Sequence, residues 1–121
     1  MRLLIVDDSN IIRTRIARVA ADWRASEFMV VGMARNGIEG LRLAAAHRPD
    51  VVTMDLTMPE MDGIECVERL VEMLPEVKVL VVSALSDKAT ALQALKRGAQ
   101  GFLYKPFTEA QLGAALTELV S

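Results

Sequence analysis

Short apolar runs alternate five times along the chain with longer stretches whose apolar residues recur every three or four positions. Short runs rich in β-branched residues and closed by turn formers read as buried strands, and the longer spacing reads as amphipathic helix. Arg2 to Val6 is the first such run, ending on Asp7 and Asp8. From Asn10 to Trp23, Ile12, Ile16, Val19, Ala20 and Trp23 keep helical spacing, with Ser9 or Asn10 as cap. Phe28 to Ala34 is strand-like, and Asn36 and Gly37 mark a turn. Ile38, Leu41, Ala44 and Ala45 then offer a second helical face, stopped by Pro49 and Asp50.

Val51 to Met54 is the central strand. Through the Pro59 loop it leads to a helix from Asp62 or Gly63 to Leu74, with Ile64, Val67, Leu70, Val71 and Leu74 facing inward and Pro75 closing it. Val77 to Val82 is the most apolar run, after which Ser83, Ser86 and Asp87 open a helix ending near Gly98. Gly101 to Tyr104 makes a last short strand, Lys105 and Pro106 form its loop, and Leu112, Leu116, Leu119 and Val120 line a final helix. Strands alternating with helices at this spacing predict an α/β domain, a parallel sheet covered by helices on both faces through right-handed crossovers. Residues 1–121 are expected to form that one domain, without a second.

Composition agrees with this picture and narrows the function. In 121 residues, 52% are hydrophobic, 25% charged and only 4% aromatic, so aliphatic residues and Met must fill the core. A formal net charge of -2 argues against a broad nucleic-acid or anionic-membrane footprint. The single cysteine, Cys66, cannot form an internal disulfide and reads as a small core residue. The N-terminal apolar run is too short for a signal peptide, and no stretch approaches the ~20 apolar residues of a membrane span. A cytoplasmic protein is expected.

If all strands are parallel, the loops that follow them meet at one rim. Asp7, Asp8, Asp55, Ser83 and Lys105 would then share it, although any one of them would serve equally well as a turn residue or helix cap. Together they suit phosphoryl chemistry. Clustered carboxylates repel and are relieved by a hard divalent cation, most naturally Mg²⁺, with Asp8 and Asp55 as direct ligands, the Thr57 carbonyl as a third and Asp7 acting through water. Lys105 and the Ser83 hydroxyl suit a tetrahedral anion, which makes Asp55 the candidate nucleophile for an acyl phosphate.

These residues sit in motifs that resemble the response-regulator receiver domains of two-component signalling. The matches are the acidic pair of IVDDS, the acceptor in TMDLTMPEMDG, the hydroxyl in VVSA and the lysine-proline of YKPF. The chain is most similar to the stand-alone chemotaxis regulators. The resemblance implies a single flavodoxin-like (βα)5 domain of strand order 2-1-3-4-5, without an effector domain. It implies that Asp55 takes a phosphoryl group from a partner histidine kinase, with Mg²⁺ held by Asp7, Asp8 and the Thr57 carbonyl, and that Ser83 and Lys105 contact the attached group. The bond between Lys105 and Pro106 would be cis. Tyr104 would be an aromatic switch moving with Ser83, and Pro59 and Gly63 would shape the loop after Asp55. A downstream protein would read the face made by the fourth helix, fifth strand and fifth helix, in a monomer or a phosphorylation-dependent dimer.

Two other classes compete. Phosphohydrolases of the haloacid dehalogenase type need a second aspartate two residues after the nucleophile, where this chain has Thr57. A phosphate-independent binding module of the same fold would not require the full set of residue types present here. His47, at the end of the second predicted helix, favours that helix's dipole and is expected to lie away from the rim. Met54, Met58, Met61 and Met73 read as gap-fillers.

Overall fold

A computed structural model describes residues 1–22, 27–58, 61–84, 86 and 88–121. Expectations for Trp23, Pro59 and Asp87 lie outside the described residues. The elements are β1 (Arg2–Val6), α1 (Asn10–Asp22), β2 (Met29–Ala34), α2 (Gly37–His47), β3 (Val51–Asp55), α3 (Gly63–Met73), β4 (Lys78–Ala84), α4 (Lys88–Lys96), β5 (Gly101–Lys105) and α5 (Glu109–Val120). All neighbouring strands pair parallel, in the order β2-β1-β3-β4-β5. This is the expected doubly wound sheet.

Alternation of side chains across the sheet divides the core in two. Leu3, Ile5, Val51, Leu80 and Val82 face α1 and α5 and pack on Ile16, Val19, Leu112 and Leu116. Leu4, Val6, Val52, Met54, Val79 and Val81 face the other way, onto Ala44, Val67, Leu70, Ala91 and Ala94 of α2, α3 and α4. β3 is buried at all five positions because it is the middle strand and is covered on both sides. Its carboxyl end is thereby fixed from three directions.

The helix ends follow local chemistry. Ser9, not Asn10, caps α1, its Oγ accepting from the Ile12 amide while its carbonyl accepts from Arg13. Asn36, Asp62 and Thr108 cap α2, α3 and α5, the last as a reciprocal capping box with Gln111. Gly98, with φ of 125°, follows α4 in a conformation that suits glycine.

Two expectations need correction. The inward face of α2 is built on Gly37, Gly40 and Ala44, whereas Ile38 and Ala45 are exposed. A side chain on Gly40 would come within 3.0 Å of Val6, so close approach to the sheet selects small residues there and turns the larger Ile38 outward. The strands also run further than their apolar letters. Asp55, Ser83 and Lys105 are strand residues, paired with Val82, Tyr104 and Ala84 respectively. Ladder hydrogen bonding, rather than hydropathy, sets where a strand ends.

Candidate functional site

The carboxyl ends of β1, β3 and β5 bring charges to one point. Asp7, just past β1, is held by the Asp7 amide donating to the Ala34 carbonyl, and its Oδ1 accepts from the Ser9 amide. Arg13, one turn into α1, reaches back to donate to the Asp7 carbonyl at 2.7 Å. Asp55 Oδ1 accepts from the Thr57 amide at 3.0 Å, a turn that aims the carboxylate along the end of its own strand. One oxygen from each of Asp7, Asp8 and Asp55 lies within 4.8 Å of the others, with Asp7 and Asp55 buried and Asp8 exposed.

Lys105 enters from β5. Its Nζ lies 3.1 Å from Asp7 Oδ2 and 3.6 Å from Asp55 Oδ2, with a quarter of the side chain exposed. The ammonium is off the hydrogen-bond direction at Asp7, whose Oδ2 makes an ion pair but no hydrogen bond. The Lys105–Pro106 peptide is cis, as expected. Phe107 follows in the core, and the Arg15 guanidinium stacks 5.1 Å from its ring centre. The lysine's loop is thus pinned from α1.

Burial is the main reason the Asp55 carboxyl is pushed up from the usual 3.8 to about 6. The Thr57 amide pulls it down, the Asp7 charge pushes it up, Lys105 pulls it down, and a hydrogen bond with Asp8 pushes it up again. Geometry at the next position is equally constrained. A Cβ on Gly63 would stand 2.6 Å from Leu56 Cα and 2.8 Å from the Asp55 carbonyl, so α3 begins against the backbone of the acceptor loop. Only a residue without a side chain permits that approach.

A family model for the response regulator receiver domain matches residues 3–117. This chain belongs to that family. It is 41% identical over 107 residues to the chemotaxis protein CheY of Listeria monocytogenes, an alignment covering 88% of this chain and 87% of the relative. CheY of Thermotoga maritima is 36% identical over 118 residues, covering 98% and 96%. Among solved structures, the REC domain of AraT, a response regulator from Geobacillus stearothermophilus, superposes with a TM-score of 0.90 at 33% identity, covering 98% of this chain and 91% of that one. CheY in the CheX-CheY-BeF3-Mg²⁺ complex of Borrelia burgdorferi gives a TM-score of 0.89 at 28% identity, covering 100% and 90%.

Receiver domains are phosphoacceptor switches of two-component signalling, and they bind Mg²⁺ at an acidic pocket. In this receiver domain the sequence-predicted Asp7 and Asp55 both lie within ion-pair distance of Lys105, and Asp8 joins the two carboxylates within 4.8 Å. Ser83 is buried near the end of β4, its Oγ without a hydrogen-bond partner among the described residues. Its register partner Tyr104 is half-buried, with its ring 5.1 Å from that of Phe102. His47 lies at the far end of α2, where its carbonyl accepts from Arg2. Cys66 is buried, and burial pushes its thiol up to about 12, which suits an inert core residue.

Arg13 and Arg15 were not legible as site residues. Their apolar neighbours carry the helix pattern, and a charge between them reads as solvated surface. Once Ser9 is known to cap α1, the spacing from Ser9 to Arg13 gives the signal, because a residue one turn in can point back to the strand it left.

Proposed function

We propose that this receiver domain is phosphorylated on Asp55 by a histidine kinase and acts as a switch in a chemotaxis-type pathway. The observation that carries it is the placement of a buried Asp55 carboxylate within 4.8 Å of two further carboxylates and 3.6 Å from Lys105. Three converging hard oxygen donors fit Mg²⁺, with Asp7, Asp8, Asp55 and the Thr57 carbonyl to hold it. When bound, the ion would neutralise charge on the phosphoryl oxygens and the carboxylates together.

The chain's own groups would do the rest. Asp55 Oδ2, the carboxylate oxygen not taken by the Thr57 amide, attacks phosphorus as the P–N bond to the donor histidine breaks, and the imidazole leaves as the proton-accepting base. Lys105 moves from the Asp7–Asp55 pair to a phosphoryl oxygen, and Ser83 donates its unpartnered hydroxyl to another. Water later hydrolyses the acyl phosphate, so the only turnover is the domain's own. A downstream protein would read the face of α4, β5 and α5, where Phe102 is exposed and a hollow of about 390 Å³ opens between Leu95, Phe102 and Leu119. The resemblance to stand-alone chemotaxis proteins supports a cytoplasmic site of action.

Incubation with acetyl phosphate and Mg²⁺, followed by prompt intact-mass measurement, tests this reading. One hydroxylamine-labile phosphoryl adduct is expected, absent in Asp55→Asn and with EDTA. A stable adduct on Asp55→Asn would refute the assignment. No adduct from either acetyl phosphate or a kinase donor would favour the phosphate-independent module.

A further inference from the structure

Three buried side-chain oxygens lack a hydrogen-bond partner among the described residues: Asp7 Oδ2, Ser83 Oγ and Thr53 Oγ1. The first two belong to the site already described, but Thr53 lies deeper, in the middle of the central strand and 1% exposed. Its register neighbours are Ile5 and Leu80. The layer above that face is Ile16, Leu112 and Leu116. A buried hydroxyl in such surroundings is destabilising when unpaired, and valine would fill the same space with equal liking for a strand.

The strand geometry shows what the hydroxyl is near. Residues two apart on a strand share a face, so Thr53 and Asp55 point the same way, as do Ile5 and Asp7. Ile5 pairs with Thr53 and Val6 with Met54, which sets Asp7 beside Asp55 in the next row up. Thr53 therefore lies one row beneath the carboxylate pair, on its buried side. Rows on one face of a parallel strand are about 6.6 Å apart. Asp7 is also one strand across, about 4.8 Å, so the diagonal between the two backbones is about 8 Å, too far for one hydrogen bond and within reach of two in series, about 5.6 Å between end atoms, where the side chains lean together.

We propose that Thr53 is a positioning residue for the acid cluster, its hydroxyl supporting Asp7 Oδ2 from beneath through one bridging water. Asp7 Oδ1 is already fixed by the Ser9 amide. Support at the second oxygen fixes the carboxylate's rotation and so the direction in which it faces Asp8 and Asp55. The inference rests on the reading of these carboxylates as a Mg²⁺ site. Outer partners of metal-ligating carboxylates typically change affinity by 10- to 100-fold when removed.

The test uses Thr53→Val and Thr53→Ser, with metal-free thermal unfolding and Mg²⁺ titration calorimetry on each. Thr53→Val is expected to keep or raise the metal-free Tm and to weaken Mg²⁺ binding about tenfold. Thr53→Ser, which restores the hydroxyl but not the methyl, is expected to lower Tm while holding affinity within about twofold of wild type. A packing role predicts the reverse order, with the serine variant the worse of the two by both measures, and that result would overturn the proposal. Unchanged affinity in Thr53→Val would overturn it too. If the valine variant does not fold, Thr53→Ala takes its place and must bind Mg²⁺ less tightly than Thr53→Ser. A wild-type protein that binds no Mg²⁺ would instead bring down the reading of the site itself.

Discussion

Replacing Asp55 with asparagine should stabilise the metal-free protein, and by an amount that depends on pH. Burial and the Asp7 charge raise the Asp55 carboxyl from 3.8 to about 6, so the folded state holds its proton more tightly than the unfolded chain does. The stability that this proton contributes is fully present below about pH 3.8 and is lost as pH rises through about 6. At about 1.36 kcal/mol per pH unit, the ionised carboxylate costs up to about 3 kcal/mol above that window. The asparagine side chain has the same shape and never ionises. The gap between Asp55→Asn and wild type should therefore be near zero at about pH 4 and reach about 3 kcal/mol at about pH 8, roughly 10 °C in Tm for a chain of this size. Thermal unfolding in EDTA across this range measures it. Adding Mg²⁺ at about a hundredfold excess over its dissociation constant returns about 2.7 kcal/mol to wild type and less to the variant, which narrows the gap. A variant less stable than wild type at about pH 8, or a gap that does not change with pH, would refute the electrostatic account of the site.

Lys105→Ala removes the cation between Asp7 and Asp55 and should destabilise the metal-free protein by about 1–3 kcal/mol at neutral pH, read by urea unfolding. It should still accept phosphate but fail to bind its downstream partner more tightly afterwards, and a full switch would contradict the role given to the lysine. Gly63→Ala places a methyl against Leu56 and should cost about 1–3 kcal/mol while slowing phosphorylation by acetyl phosphate. Normal kinetics with lost stability would separate the helix contact from the acceptor loop. Ser83→Ala deletes an unpartnered buried hydroxyl, so metal-free stability should hold or rise by about 1 kcal/mol. The phosphorylation-linked change at Tyr104, the only tyrosine, should be lost, as followed by NMR of labelled tyrosine.

What the sequence made legible was whatever depends on order along the chain. The alternation of strand and helix was readable from spacing alone. So was the placement of Asp7, Asp55 and Lys105, because parallel strands send every following residue to one edge. The face of α2 was not, since Gly37 and Gly40 carry no hydrophobic signal, although their lack of bulk is what lets the helix sit on Val6 and Met61. The extent of β4 escaped as well. Ser83 reads as a loop letter, yet its backbone is claimed by the ladder to Tyr104. Thr53 was hidden for the opposite reason: threonine is an ordinary strand residue, and only its burial without a partner sets it apart.

That Ser83 belongs to a strand bears on how a signal would leave the site. In a parallel pair, register partners point to the same face, so Ser83 and Tyr104 are side by side, and Tyr104 and Phe102, two apart on β5, share that face in turn. Phe102 is exposed on the edge strand. A phosphoryl oxygen that draws the Ser83 hydroxyl toward Asp55 would open space beside Tyr104, and a ring that moves inward would leave its contact with Phe102. The reach from buried acceptor to outer surface is then three side chains. Each step would be a packing choice between two arrangements, the kind of element whose populations a local change in contacts can shift. Holding Ser83 in a loop would break this chain at its first link, because a loop could follow the phosphate without disturbing β5.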